Sequence, residues 1–330
     1  MMRFLNKRGR LIAALMVACL LLASCGSKTV QDADNENGKF RIVATIFPEY
    51  DWVMKILGDN PAGMEVTLLL DQGVDLHSYQ PTVNDIMKIT DCDLFIYVGG
   101  ESDAWVEDAL KEAVNPNMRT VNLLDVLGSA AKVEELSEGM QGEEEEAEAG
   151  ETEYDEHVWL SLKNAALLCS AIEEALSAID PANADTYRQN LTAYQDALDA
   201  LDKQYAQTVA ASETKTLLFG DRFPFRYLTD DYGLTYYAAF AGCAAETEAS
   251  FETVTFLAKK VDELSLPAVL IIDGSDGKIA ETIVSNTTDK SAKILTLDSM
   301  QSVSYKDLAA GADYLSIMEQ DLAVLREALN

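Results

Sequence analysis

Histidine is almost absent from this chain: there are two in 330 residues, His77 and His157. Positive charge is scarce as well, with 25 Lys and Arg against 56 Asp and Glu, a formal net charge of −31. A field of that sign repels nucleic acid and anionic lipid headgroups and draws in cations, so no nucleic-acid partner is expected. Cysteine offers little. Cys92, Cys169 and Cys243 are widely separated, sit among apolar or small residues and lack the spacing of a thiolate metal site. They read as buried free thiols, and metal ligation by them is not expected.

The N-terminus MMRFLNKRGRLIAALMVACLLLASCGS has a basic head and an apolar run over residues 11–23 that is shorter than an ordinary membrane span. This is the form of a secretory signal. Its end, Leu22-Ala23-Ser24-Cys25, resembles the bacterial lipobox, which implies cleavage before Cys25 and lipidation of that residue. Acyl chains would then hold the protein at a membrane surface without a spanning helix. The alternative is a plain signal peptide with an incidental cysteine. Residues 1–24 are thus expected to be removed, leaving 21 basic against 56 acidic residues. Residues 25–39 are polar without apolar period and read as a lipidated tether. The location expected is extracytoplasmic and lipid-anchored, on a Gram-positive surface or in the periplasm of a diderm host.

From Phe40 on, about 290 residues exceed the usual size of a single core and favour two lobes. Strand-like runs (40–48, 65–70, 93–99, 119–126) alternate with helical ones (50–57, 82–90, 102–114), predicting a parallel sheet covered on both faces. This N-terminal lobe is placed at 40–160. Within it, 132–156 carries twelve acids against one base and reads as a mobile loop. Residues 161–210 read as a helical connector, with Pro181 in the first turn of the second helix and Asp180 as its cap. Residues 211–330 repeat the alternating plan, with strands at 215–220, 234–240, 268–274 and 292–298 and a final helix over 305–329. The fold class expected is α/β: two similar lobes, each a parallel-rich sheet flanked by helices, joined by one long rigid helix.

In parallel α/β sheets ligands bind beyond the carboxyl ends of the strands. His77 follows the strand at 65–70, and His157 closes the acidic loop just ahead of a helix. Asp221 directly follows the strand at 215–220; Asp273 ends the strand at 268–274, with Asp276 three residues beyond. Two imidazoles and two carboxylates suit a first-row divalent cation, zinc or manganese. Ligands drawn from two lobes also allow release, because separating the lobes breaks the site.

The local sequences resemble those of the metal-binding lipoproteins of bacterial zinc and manganese ABC importers, over about residues 40–329. The family has one histidine in D-x-H-x-Y/F-x-P-T, matched by Asp75-Leu76-His77-Ser78-Tyr79-Gln80-Pro81-Thr82. It has a second in D-P-H-x-W-L-D-P, matched by Asp155-Glu156-His157-Val158-Trp159-Leu160-Ser161-Leu162. DLFIYVGGESDAWVEDAL and IDPANADTYRQNLTAYQDALDALD are similar to its strand-and-helix and its backbone helix. The resemblance implies one divalent metal held between two lobes by a monomer, delivery to a membrane permease, and no catalysis. The family's third ligand, usually His or Glu, precedes an aromatic pair. Here the stretch is Gly220-Asp221-Arg222-Phe223-Pro224-Phe225, so Asp221 is the candidate, and a slip of one would put the non-ligating Arg222 there. The fourth ligand is Asp273 or Asp276, with Glu246 and Glu248 as secondary candidates. A set of two histidines and two carboxylates admits either metal; zinc binds such sites more tightly than manganese. The acidic loop falls where zinc-binding relatives carry an insertion and is either a weak cation collector or a solvated charge run.

Two other readings are possible. A secreted metallohydrolase would need an open coordination position and a positioned base. An organic-solute binder would need a larger cavity lined by aromatic and donor groups, and a single continuous connecting helix disfavours the wide closure that such binders use.

Overall fold

The computed structural model describes residues 39–141, 153–244 and 248–330. Short apolar runs form strands, and each strand finds its neighbours through a helical crossover. In chain order the first half contains β1 (Arg41–Ala44), α1 (Phe47–Leu57), β2 (Glu65–Leu68), α2 (Val83–Thr90), β3 (Leu94–Tyr97), α3 (Trp105–Lys111), β4 (Arg119–Asn122) and α4 (Leu123–Leu127). Its four strands pair in parallel in the order β2-β1-β3-β4. Two long helices follow, α5 (Leu162–Ile179) and α6 (Ala184–Ala211). The second half contains β5 (Thr216–Phe223), α7 (Arg226–Tyr232), β6 (Thr235–Ala241), α8 (Phe251–Leu264), β7 (Ala268–Ile272), α9 (Lys278–Asn286), β8 (Lys293–Leu297), α10 (Tyr305–Ala309) and α11 (Tyr314–Ala328). Its sheet, also parallel, runs β6-β5-β7-β8. The fold is thus α/β with two parallel sheets, and each sheet changes direction of growth beside its first strand. Those switch points, between β1 and β3 and between β5 and β7, are where the strand ends leave a crevice.

Side-chain alternation explains how the second sheet is covered. Along β5, Leu217 and Phe219 face the main core while Leu218 faces a smaller one under α8 and α9. Along β7, Ala268, Leu270 and Ile272 take the first side and Val269 the second. Period-two alternation of wholly apolar residues is what a strand buried on both faces requires.

The main core is continuous from one sheet to the other. Helix α6, about 42 Å long at 1.5 Å per residue, lies along it with Tyr187, Leu191, Tyr194, Leu198, Leu201, Tyr205 and Val209 buried on one face. Tyr205 OH donates to Met318 O at 2.6 Å, and Asn190 Nδ2 donates to Ile56 O at 2.9 Å, so α6 is bonded to α11 and to α1. Trp52 of α1 packs edge-on against Tyr314 of α11 at 5.3 Å. The Tyr314 hydroxyl in turn donates to Trp159 O at 2.6 Å.

Several boundaries differ from the sequence reading. The apolar run at 40–48 stops being a strand at Ala44, and Phe47 and Pro48 open α1, where proline's missing N–H costs nothing. Helix α6 starts at Ala184, not at Pro181. Asp180 closes the preceding helix instead, its carboxylate accepting from Asn183 Nδ2 and from Tyr187 OH, each at 2.7 Å. The final helix is broken: Gly311, at φ +95°, separates α10 from α11. The stretch expected to be a mobile loop is tied down at both ends. Val133 bridges Tyr154, Asp155 N donates to Lys132 O, and Gln141 bridges Phe240 of β6. Residues 142–152 of that loop and residues 25–38 of the tether, Cys25 included, lie outside the described residues. No described helix is long and apolar enough to cross a membrane.

Candidate metal site

Each histidine is positioned by an aspartate two residues earlier. Asp75 starts a short 3-10 turn (Leu76–Ser78) beyond β2, its carboxylate accepting from His77 N at 3.0 Å. Asp155 does the same for His157, accepting from its backbone N–H at 2.9 Å. An aspartate that bonds the backbone two residues on is ordinary turn chemistry. Here it aims two rings into one crevice.

The rings meet there. His77 Nε2 and His157 Nε2 are 3.1 Å apart, although 80 residues separate them in the chain. Their other nitrogens have partners: His157 Nδ1 donates to Asp155 Oδ1 at 3.1 Å, and His77 Nδ1 meets Ser102 Oγ at 2.8 Å. With both Nδ1 positions engaged, the two Nε2 atoms face the same space. Two nitrogens on one tetrahedral zinc, at Zn–N near 2.05 Å, stand about 3.3 Å apart. The pair therefore already has the separation that a shared metal demands. His157 is fully buried.

Electrostatics divide the pair. Burial and the neighbouring His157 push the pKa of His77 well down, which favours the neutral ring. Burial also opposes charge on His157, but Asp155, with Glu156 and Asp75 beyond it, outweighs burial and raises its pKa. Glu156 lies behind His77, accepting from Ser102 N at 2.9 Å with one oxygen. Its other oxygen is buried without a hydrogen-bond partner, 3.6 Å from His77 Nδ1. One buried carboxylate oxygen beside His77 is thus left without a hydrogen-bond partner.

The expected carboxylate half does not join the histidines. Strand β5 runs on to Phe223 with a register shift between Phe219 and Arg222, so Asp221 lies within the strand, not after it. Its oxygens accept from Arg222 N at 2.8 Å and from Ile272 N at 3.4 Å, linking β5 to β7. The Arg222 guanidinium points to the crevice and pairs with Asp75. Burial would raise the Asp75 carboxyl, but Arg222 and His77 together hold it below the usual range. Asp273 accepts four bonds, from the backbone N–H and hydroxyl of Ser299 and of Ser302, and so pins that loop. Asp276 is exposed and pairs with Lys278. Glu246 lies outside the described residues, and Glu248 is exposed.

A residue that the sequence reading set aside lies beside the histidines instead. Among the described residues, the histidine, cysteine and acidic groups whose donor atoms converge here are His77, His157 and Cys243, all within 4.8 Å of one another. Cys243 follows Gly242 at the carboxyl end of β6, and its backbone N–H donates to Glu134 at 3.1 Å. Gly242 is required there, because a Cβ would stand 2.9 Å from His157 Cε1 and 2.8 Å from Phe223 O. The available signal was the pair Gly-Cys directly after a strand of the second lobe. Spacing rules for metal-binding cysteines, which look for a second cysteine nearby, pass over it.

Comparison with known proteins gives a consistent picture. The family model for zinc-uptake complex component A, periplasmic, matches residues 42–328. The high-affinity zinc uptake system protein ZnuA of Bacillus subtilis is 31% identical over 321 residues, 96% of each chain. The zinc-binding lipoprotein AdcA of Streptococcus pneumoniae is 30% identical over 326 residues, 98% of this chain but 61% of that protein. The chain thus spans about three fifths of the first curated relatives. The Zn(II)-bound ZnuA-like domain of that AdcA superposes with a TM-score of 0.68 at 27% identity, covering 88% of this chain and 99% of the domain. The metal-dependent lipoprotein YcdH of B. subtilis gives 0.71 at 28% identity, with coverage of 88% and 99%.

Proposed function

The chain belongs to the family of the periplasmic zinc-uptake complex component A, and from that membership we propose that it captures zinc outside the cytoplasm and hands it to an ABC permease. It acts by binding, without catalysis, which sets aside a metallohydrolase. The observation that carries the reading is the pair of Nε2 atoms 3.1 Å apart, each ring oriented through its Nδ1. Second partners of this kind fix the ring and raise its basicity as a ligand. Trp159 is buried with its ring centroid 5.3 Å from that of His157, and this packing helps to hold the imidazole in place.

Zinc is favoured over manganese by the nitrogen ligands and by the Irving–Williams order. His77 and His157 are the ligands proposed from the first reading. Asp221 and Asp273, in the positions described above, are spent on β5–β7 and on the loop at 299–302. The finer points of location belong to the same proposal: the chain works as a monomer held to the membrane by lipid on Cys25, and it docks on the permease in the metal-loaded state. The shared core and the bonds from α6 to both α1 and α11 favour small movements over wide domain closure.

Calorimetric titration of metal-free protein with zinc and with manganese tests the reading. One tight zinc site per chain, lost in His77→Ala/His157→Ala, is the expected result. Tight binding that survives the double substitution, or no tight binding, overturns it. A manganese preference would reassign the cargo.

A further inference from the structure

We propose that Cys243 is a metal ligand, so that this protein holds its cargo as a thiolate complex completed by the two imidazoles. The inference deepens the zinc-capture reading and rests on it.

The placement of Cys243 is the first argument. It stands at the carboxyl end of β6, with its Sγ within 4.8 Å of a ring nitrogen of His77 and of His157. A tetrahedral zinc with Zn–S near 2.3 Å and Zn–N near 2.05 Å needs an S···N separation of about 3.6 Å. The bound of 4.8 Å exceeds that separation by about 1 Å.

The neighbours supply the second argument. Arg222, which cannot ligate, occupies the end of β5 and is held by Asp75. Asp221 is turned to β7, and Asp273 is saturated by two serines. Among the described His, Cys and acidic residues of the second lobe, the donor that converges on the crevice is therefore the sulfur. Glu134 accepts the backbone N–H of Cys243 at 3.1 Å, and Asp155 accepts from His157, so carboxylates flank this side of the crevice. A dipositive ion suits such surroundings, because its field stabilises a thiolate and compensates the carboxylates. On binding, the Sγ–H bond breaks, the sulfur pair bonds the metal and the proton leaves to buffer, one per ion taken up.

Selectivity follows from the chemistry. Thiolate favours zinc over manganese, which prefers oxygen donors. A chain that gives up the carboxylates for sulfur becomes a stricter zinc binder.

Cobalt(II) is the probe, added to the metal-free full chain and to its Cys243→Ala, Cys243→Ser and His77→Ala/His157→Ala variants. The unsubstituted protein should show a near-ultraviolet thiolate-to-cobalt charge-transfer band that both Cys243 variants lose while keeping their visible ligand-field bands. Zinc affinity should fall by roughly a hundredfold in Cys243→Ala, with manganese affinity little changed, so the preference narrows. Cobalt bound at a site that the histidine variant loses, but with no charge-transfer band, overturns the thiolate and leaves zinc capture standing. A band that persists in Cys243→Ala overturns it equally, since the sulfur would be another. Cobalt and zinc binding that ignores both histidines overturns the capture reading and this inference together.

Discussion

Asp155→Asn is the sharpest test of how the site is built. Asp155 is buried and gives one oxygen, Oδ1, to both the backbone N–H and the Nδ1–H of His157, at 2.9 and 3.1 Å. Asparagine keeps the size, and its carbonyl oxygen can still accept from the backbone, so the turn should survive. The loss falls on the ring. Without a full negative charge behind Nδ1, the imidazole is a poorer donor at Nε2 and its orientation is less firmly held. Removing an outer partner of a ligating histidine costs about 10- to 100-fold in metal affinity, which is about 1.4 to 2.7 kcal/mol. Zinc affinity would be read by competition against a chromophoric chelator, with thermal melting of the metal-free variant as the control for folding. An unchanged affinity in a folded variant would refute the claim that His157 ligates through Nε2. A loss beyond about a thousandfold would refute it too, since that size of effect belongs to a direct ligand and not to an orienting group.

Three further outcomes follow from the same structure. Gly242→Ala forces His157 or the β6 end to shift by several tenths of an ångström, so zinc binding should weaken by about tenfold or more at near-normal melting temperature; unchanged binding would show that the ring has room. Asp273→Ala leaves the Ser299 and Ser302 donors unsatisfied and should cost roughly 2–3 kcal/mol of stability while zinc stoichiometry stays at one, whereas loss of the site would restore Asp273 as a ligand. Glu49, fully buried at the start of α1, is raised to about 8 chiefly by desolvation and then by Asp103. The folded state therefore keeps a proton that the unfolded chain releases, and stability from this group is complete below its unfolded pKa of 4.5 and lost as pH rises through about 8. Glu49→Gln should gain on the unsubstituted protein between pH 6 and pH 9 in denaturant titrations, and parallel pH profiles would count against the buried charge.

Much of this protein is local and could be read from the chain. Period-two and helical apolar patterns set the alternation of strands and helices, and D-x-H twice over marked the two histidines and the turns that aim them. Elements whose ends depend on one residue were harder. Pro181 fits a helix start, yet Asp180 closes α5 and α6 waits until Ala184. A continuous helical pattern conceals the break at Gly311.

Which of the candidate donors meet was decided by tertiary structure. Successive side chains on a strand point to opposite faces, so the register shift between Phe219 and Arg222 re-aims every residue after it. That shift sends Asp221 to β7 and Arg222 to Asp75, and no feature of the local sequence records it. The nearness of Cys243 to His77 and His157 arises because two separate parallel sheets bring their carboxyl ends to one crevice, joining positions 80 to 166 residues apart. The sequence determined which groups could bind a metal; the placement of the two sheets and one irregular strand determined which of them meet.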